Sequence, residues 1–125
     1  MPKKLKALTP MLAVRDIAQA VAFYHDALGF KAVRQVEGWA CVERDGVEIM
    51  FTLPNAHEPS KQLHFTGSFY FRVADVDAWW DALKEKAPVV YPIENFYYGM
   101  REFAIRDNTG YTLQFGCEIS KAKIG

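Results

Sequence analysis

Residues 14–30, Val14-Arg-Asp-Ile-Ala-Gln-Ala-Val-Ala-Phe-Tyr-His-Asp-Ala-Leu-Gly-Phe30, contain the clearest helix signal in the chain. Asp16 is a favourable N-cap, and Gln19, three residues later, completes a capping-box arrangement. Gly29 stands where a helix would be expected to end in a C-terminal cap. Between these caps the apolar residues recur at the spacing of one helix face: Ile17, Val21, Tyr24 and Leu28. The stretch therefore predicts a helix over 17–28.

Strand-like runs lie on both sides of this helix. A short apolar run over 8–14 precedes it, and after it the hydrophobic period changes to that of strands. Glu37-Gly38 and Asp45-Gly46 are hairpin signals that separate three such runs, over 30–36, 39–43 and 47–53. The first half is thus predicted to be β-α-β-β-β.

The same order recurs after a polar, proline-containing linker over 54–66. Asp75 is the predicted N-cap of a second helix with Val76, Trp80 and Leu83 on one stripe, and Pro88 ends it. Strands are predicted around this helix and a turn at 107–110, the strands covering 68–73, 89–93, 101–105 and 111–117. We therefore predict an α+β fold built from two βαβββ modules, each contributing its strands to a sheet.

Composition limits the classes of function. The 125 residues are 50% hydrophobic and include nine Phe, six Tyr and three Trp, which indicates a folded domain rather than a disordered chain. The 15 basic and 15 acidic residues cancel, so the basic excess typical of nucleic-acid-binding proteins is missing. No apolar run approaches the ~20 residues of a membrane span, and no signal peptide is recognisable. We expect a cytoplasmic protein.

Three stretches together resemble the vicinal-oxygen-chelate superfamily of glyoxalases, bleomycin-resistance proteins and extradiol dioxygenases. The first is residues 14–30, in which Phe23-Tyr24 and Leu28-Gly29-Phe30 are the most characteristic pieces. The others are Phe71-Arg-Val-Ala-Asp-Val-Asp77 and Gly99-Met-Arg-Glu-Phe-Ala-Ile-Arg-Asp-Asn-Thr-Gly110, followed by a strand. The likeness spans about residues 7–117. The family usually has Pro where Asn108 stands, a departure that still allows a turn.

This resemblance implies a single domain over 1–125, with module one at 7–53, the linker at 54–66, module two at 67–117 and a tail at 118–125. It also implies that the two modules form a curled mixed sheet around a cavity, and that the protein is a homodimer. Family members include lyases, isomerases, dioxygenases, drug-inactivating transferases and plain binding proteins, so the fold alone does not decide the function.

Enzymes of this superfamily hold a divalent metal with His, Glu or Gln side chains from the first and last strands of each module. The corresponding positions in this chain are occupied by Thr9, Met50, Ser68 and Gln114. Only Gln114 is a credible ligand, and one neutral amide cannot hold a metal. The resemblance thus leads us to expect no metal, no cofactor and no catalytic residue.

The remaining candidate ligands do not supply a site. His25, His57 and His64 lie outside the expected ligand positions, and none has an evident carboxylate partner. Cys41 and Cys117 form no close-spaced metal motif. We expect them to be buried, reduced thiols rather than a disulfide.

A largely apolar pocket is expected where the metal would stand, because residues of the same strand parity share a face. Its predicted lining is Thr9, Met11, Met50, Ser68, Tyr70, Thr112 and Gln114. Trp39, Tyr98 and the rest of the aromatic stretch 95–100 are expected near its mouth, where they could stack on a planar ligand or pack against a partner subunit. Arg101 could bind a ligand carboxylate or phosphate, or form an ion pair with Glu94, Glu102 or Asp107.

The sequence therefore predicts a metal-free small-molecule-binding protein, similar to bleomycin-resistance proteins, that sequesters a hydrophobic or aromatic ligand such as an antibiotic in a dimer-associated cavity. The neutral net charge argues against a strongly cationic drug. Two alternatives stay open. One is a metal-dependent lyase, isomerase or dioxygenase whose ligands lie in another register, and the other is an interaction domain whose cavity is filled by its own side chains.

Overall fold

A computed structural model describes residues 5–54 and 68–119. Its elements are, in chain order, β1 (Met11–Ala13), α1 (Ile17–Leu28), β2 (Lys31–Val36), β3 (Trp39–Arg44), β4 (Val47–Thr52), β5 (Ser68–Arg72), α2 (Val76–Leu83), β6 (Val89–Asn95), β7 (Met100–Arg106) and β8 (Thr112–Glu118). The order β-α-β-β-β thus occurs twice, and the predicted α+β class is confirmed.

The strands form two four-stranded sheets, in the orders β1-β4-β3-β2 and β5-β8-β7-β6. In each sheet the first strand of the module runs parallel to the last, and the other neighbours are antiparallel. Both sheets are therefore mixed, as predicted. Neither sheet is closed over the described residues, since its two outer strands do not pair with each other. The sheets belong to two compact units, unit 1 (Met1–Gln62) and unit 2 (Leu63–Gly125).

Helix α1 has the predicted caps. The backbone N–H of Gln19 donates to Asp16 Oδ1 at 2.9 Å, and Gly29 has the left-handed conformation, with φ 77°. Arg44 Nη1 adds a contact that the sequence did not reveal, because it donates to the carbonyl oxygen of Leu28 at 2.6 Å. A cation at this end of a helix satisfies a free carbonyl and opposes the negative end of the helix dipole.

Helix α2 covers one face of the unit 2 sheet. Asp75 is its N-cap and accepts the backbone N–H of Ala78 at 3.2 Å. The Phe115 ring on β8 is central to the contact between helix and sheet. It stacks on Trp79, with ring centroids 5.4 Å apart, and is flanked by Phe71 and Phe103. The two tryptophans of α2 thus pack on the sheet, Trp80 against Phe103, and both are half-buried.

Three further expectations can be checked against the described residues. Strand β1 begins at Met11 and not at Leu8, because Pro10 has no backbone N–H to pair with β4, although its carbonyl accepts from Met50. Cys41 and Cys117 are buried free thiols, as expected. Neither helix is long and apolar enough to span a membrane. The linker, the end of the tail, His57 and His64 lie outside the described residues.

Candidate functional site

The face of the unit 2 sheet opposite α2, here called the open face, carries most of the predicted polar positions of the second module. Ser68 and Tyr70 are the ladder partners of Thr112 and Gln114 in the parallel pair β5–β8. Residues paired across a ladder point to the same side of a sheet, and so do residues two apart in one strand. These four side chains therefore share the open face.

Glu102 also lies on the open face. The β7–β8 ladder pairs Ala104 with Gln114 and Glu102 with Gly116, and Gly116 lies two residues beyond Gln114. Glu102 is only 1% exposed. A carboxylate so deeply buried needs hydrogen-bond donors, since burial without them is strongly unfavourable.

Two tyrosines supply these donors. The Tyr70 hydroxyl donates to Glu102 Oε1 at 2.8 Å, and the Tyr91 hydroxyl donates to Oε2. Tyr98 lies close enough for the Glu102 carboxylate to raise the pKa of its phenol. We call Tyr70, Tyr91, Tyr98 and Glu102 the tyrosine–glutamate cluster. Every hydroxyl hydrogen in these contacts points toward the carboxylate.

Two neutral side chains extend the cluster along the sheet. Gln114 Nε2 donates to the Tyr91 oxygen at 2.9 Å, and Ser68 Oγ donates to Gln114 Oε1 at 2.5 Å. A continuous hydrogen-bonded chain thus runs from exposed Ser68 on β5 to buried Glu102 on β7.

The phenols of the cluster are held in the protonated form. Burial, the hydrogen bond to Glu102 and the negative charge of Glu102 raise the pKa of Tyr70 and Tyr91 well above the ordinary 10.0. Partial burial and the neighbouring Glu102 carboxylate raise the pKa of Tyr98 to about 12. These tyrosines are consequently hydrogen-bond donors at neutral pH and not phenolate bases.

Gly116 makes the cluster sterically feasible. A Cβ at this position would lie 2.1 Å from the Tyr70 hydroxyl oxygen and 3.1 Å from the Glu102 Cβ. The Tyr70 ring therefore reaches across β8 to the carboxylate through space that only a glycine leaves free.

An aromatic hairpin adjoins the cluster between β6 and β7. Phe96 and Tyr98 stack with ring centroids 5.5 Å apart and an interplanar angle of 12°, and Phe96 makes an edge contact with Tyr91. Gly99, with φ 88°, permits the turn. Tyr98 is 51% exposed and Tyr97 is 99% exposed. The hairpin thus presents ring surface to solvent next to the polar cluster.

The predicted site residues of unit 1 share a face of their own sheet. Met11 and Met50 are ladder partners, and Trp39 lies two residues from Cys41, the partner of Met50 on β3. Thr9 precedes β1 and is half-buried. This face offers thioether and aromatic surface in place of the polar network found in unit 2.

Arg101 lies on the α2 side of the sheet, away from the tyrosine–glutamate cluster. Its Nη2 donates to Asp77 Oδ1 on α2 at 2.8 Å, and its Nη1 donates to Asn95 at 3.1 Å. The acidic partner is thus Asp77, which corrects the expectation of Glu94, Glu102 or Asp107. Strand alternation explains the difference, because neighbours in a strand point to opposite faces.

Comparison with known proteins is informative at the level of the family. A family model described as the Glyoxalase/Bleomycin resistance protein/Dioxygenase superfamily matches residues 6–115. The chain belongs to this superfamily. Comparison with the curated proteins finds no match.

Several solved structures share this superfamily fold. One is a protein of unknown function from Agrobacterium tumefaciens, with a TM-score of 0.77 and 23% identity over 94% of this chain and 97% of that chain. Another is a lactoylglutathione lyase from the same organism, with a TM-score of 0.70 and 22% identity over 92% and 96%. A third is TioX from a Micromonospora species, with a TM-score of 0.74 and 22% identity over 91% and 99%. Likenesses of this degree establish the fold alone.

The donor set of the second module does not fit the divalent metal that the superfamily's enzymes hold. The two expected ligand positions carry Ser68 and Gln114, and the amide oxygen of Gln114 already accepts the Ser68 hydroxyl. In the part of the chain that the structure describes, no group of three or more His, Cys, Asp or Glu side chains could hold a metal ion. Hard divalent cations require several converging charged oxygens, which these neutral groups do not supply.

Two residues of the cluster, Glu102 and Tyr91, were missed by sequence reasoning. A signal was available for Glu102. The turn at 107–110 pairs Arg106 with Thr112, and counting back along the hairpin puts Glu102 opposite Gly116. A glycine inside a buried strand often marks a close approach of another group. For Tyr91 no such signal existed, because irregularities in the β6–β7 pairing disturb the register on both sides of it.

Proposed function

We propose that this chain is a metal-independent small-molecule-binding protein that sequesters a hydrophobic or aromatic ligand, such as an antibiotic, against the open face of unit 2. The supporting observation is the Ser68–Gln114 hydrogen bond of 2.5 Å, which joins the two positions where a metal-dependent relative would carry ligands. Both side chains are neutral and each satisfies the other. Sequestration requires affinity without bond making, and this polar chain beside aromatic surface is the usual chemistry of a small-molecule site.

The phenols support binding over catalysis as well. A proton-abstracting phenolate would need a lowered pKa, whereas burial and Glu102 raise the pKa of Tyr70 and Tyr91. They are suited to fixed hydrogen bonds. A homodimer and a cytoplasmic location belong to the same proposal and can be checked by sedimentation and by cell fractionation.

The proposal is tested by purifying the protein without chelators and measuring bound Zn, Ni, Fe and Mn, together with its melting temperature in a library of aromatic compounds. We expect substoichiometric metal and no stabilisation by added metal. Library members that bind the folded state should raise the melting temperature in proportion to the logarithm of their concentration. Stoichiometric metal that is lost in Gln114→Ala would instead support a metal-dependent lyase, isomerase or dioxygenase.

Two further results would contradict this proposal. If no library compound stabilises the protein, the chain is better described as an interaction domain. If the hits stabilise Gln114→Ala and Tyr70→Phe as strongly as the wild type, the open face is not the binding surface. Asp81→Asn on α2 is the matched control, since its side chain is 72% exposed and pairs only with Lys84 among the described residues.

A further inference from the structure

We propose that the open face selects an organic cation, specifically an aromatic compound that carries a protonated amine, with the tyrosine–glutamate cluster as the recognition element. This inference rests on the proposed function and names the class of ligand. Four observations carry it: the direction of the hydrogen bonds, the missing counter-ion of Glu102, a second carboxylate on the same face, and the adjoining aromatic rings.

The direction of the hydrogen bonds makes the outer surface of the cluster rich in acceptors. Tyr70 and Tyr91 each use their only hydroxyl hydrogen on Glu102, and Tyr91 also receives the Gln114 amide. A phenol has one donor and two acceptor lone pairs. The hydroxyl hydrogens are therefore committed to Glu102, and the phenol oxygens can offer a ligand only their remaining lone pairs, which donation to a carboxylate polarises further. Such a surface complements a ligand with several N–H donors.

Glu102 has no cationic partner among the described residues. Every ion pair observed there involves another carboxylate, that of Asp26, Asp45, Asp81 or Asp77. Two phenols satisfy part of the acceptor capacity of Glu102 but leave its negative charge uncompensated. An ammonium group approaching the exposed sides of Tyr70 (39%) and Tyr98 (51%) would supply the missing charge.

A second carboxylate adds to this potential. Glu94 on β6 is the ladder partner of Glu102 on β7, and directly paired residues point to the same face. On this face, the positive charge closest to Glu102 in the strand register is that of Arg72 on β5, the ladder partner of Gly116. Arg72 is exposed and forms no ion pair with Glu102. A bound monocation would interact mainly with the nearby carboxylates of Glu102 and Glu94. The neutral net charge of the whole chain does not oppose such binding.

The aromatic hairpin supplies the apolar half of the site. The stacked rings of Phe96 and Tyr98 lie beside Tyr91, so a planar group could extend the stack while its amine reaches the cluster. The faces of these rings also attract cations directly. An aromatic amine thus matches both the electrostatics and the aromatic character of the surface, whereas a carboxylate would meet hydrogen-bond acceptors and two negative charges.

The test is a charge series on one indole frame, measured by isothermal titration calorimetry with the full chain. Tryptamine is the cation, tryptophol carries a hydroxyl in place of the ammonium, and indole-3-propionate is the anion. We expect tryptamine to bind at least about tenfold more tightly than tryptophol, as expected when charge-assisted contacts replace neutral ones. Indole-3-propionate should bind more weakly than either.

Variants locate the effect. Glu102→Gln should remove most of the difference in affinity between tryptamine and tryptophol, and Glu94→Gln should reduce this difference to a smaller extent. Because Glu94 is exposed, Glu94→Gln should fold normally. It therefore tests the charge preference even if circular dichroism shows that Glu102→Gln is poorly folded. Asp81→Asn removes a carboxylate from α2 and should leave the preference unchanged.

The inference is overturned by equal affinities for tryptamine and tryptophol, by tightest binding of the anion, or by no saturable binding of tryptamine. The first two outcomes leave the proposed function standing, because a ligand still binds. If the charge series and the aromatic library both fail to bind, the proposed function falls as well.

Discussion

The Tyr70 hydroxyl occupies the space into which a side chain on Gly116 would project, since a Cβ at Gly116 would lie 2.1 Å from the Tyr70 oxygen and 2.8 Å from its Cζ. The absence of a side chain on β8 is thus what allows β5 and β7 to be joined through the Tyr70–Glu102 hydrogen bond of 2.8 Å. The polar cluster and the strand glycine form one structural unit, and substitutions within it should not act independently.

Gly116→Ala should lower the free energy of unfolding by about 1–3 kcal/mol, because the new methyl group displaces the Tyr70 ring and leaves buried Glu102 short of one donor. Tyr70→Phe should also lower the free energy of unfolding, because it removes the same donor to Glu102. The double variant should lose clearly less than the sum of the two, because both changes break the same contact. Urea unfolding of the four proteins measures the coupling.

Tyr97→Phe is the control for this cycle, since Tyr97 is 99% exposed and its hydroxyl should contribute little. Strict additivity of Gly116→Ala and Tyr70→Phe would contradict the close contact on which the cluster depends.

The stability of the protein should fall in alkaline solution as the cluster ionises. The folded-state pKa of Tyr98, about 12, lies above its ordinary 10.0, so the folded state retains a proton that the unfolded state releases first. The stabilisation is therefore complete below about pH 10 and decreases as the pH rises toward 12. Unfolding free energies measured across this range, with phenolate absorbance followed in parallel, should show the decrease.

Glu102→Gln supplies the control for the alkaline titration. It removes the negative charge that contributes to the raised pKa of Tyr70, Tyr91 and Tyr98. Part of the phenolate absorbance should then appear at lower pH than in the wild type. An unchanged titration curve would mean that burial alone raises these pKa values and that Glu102 has no electrostatic part in the cluster.

Much of the fold could be predicted because its signals are local. Asp16, Gly29 and Asp75 mark helix ends through contacts with residues within five positions in sequence, and each acts as predicted. The shared face of Tyr70 and Gln114 also followed from strand parity, which needs only a period of two.

The centre of the candidate site was harder to predict because it depends on tertiary register. Glu102 meets Tyr70 across 32 positions of sequence and Tyr91 across a strand pair with irregular register. Neither relation follows from the composition of any single stretch. Arg101 illustrates the same difficulty, since one step along β7 separates the face that carries the cluster from the face that packs on α2.

Arg101→Ala should affect stability and not ligand binding. The guanidinium and the Asp77 carboxylate form a partly exposed ion pair at 2.8 Å, with side chains 25% and 34% exposed, so its loss should cost about 1 kcal/mol. Asp77→Asn should cost a similar amount. Calorimetry with tryptamine or a library hit should give dissociation constants within about twofold of the wild type for both variants. A tenfold loss confined to Arg101→Ala would restore this residue to the binding site.

Asp107→Ala should be the most destabilising of the single changes in the β7–β8 hairpin. Asp107 is buried, and its Oδ1 accepts the backbone N–H groups of Thr109, Gly110 and Tyr111 at 2.9, 2.8 and 2.9 Å. Alanine would remove the side-chain acceptor that these three donors share in the turn that sets the register of Glu102 opposite Gly116, while the Gly110 N–H keeps its bond to the backbone carbonyl of residue 107. We expect a loss of about 2–4 kcal/mol in urea unfolding, since several hydrogen bonds are lost at once.

The first module contains a matched control for this change. Asp45 stands at the corresponding hairpin between β3 and β4, but it is exposed, and there the N–H of Gly46 donates instead to Glu43 at 2.8 Å. Asp45→Ala should therefore lower the free energy of unfolding by less than about 1 kcal/mol. Most of this loss should come from the φ of 55°, which alanine tolerates poorly. Equal losses in the two variants would show that turn conformation, rather than the three hydrogen bonds of Asp107, sets the stability of these hairpins. The register that brings Glu102 to the tyrosines would then need another source.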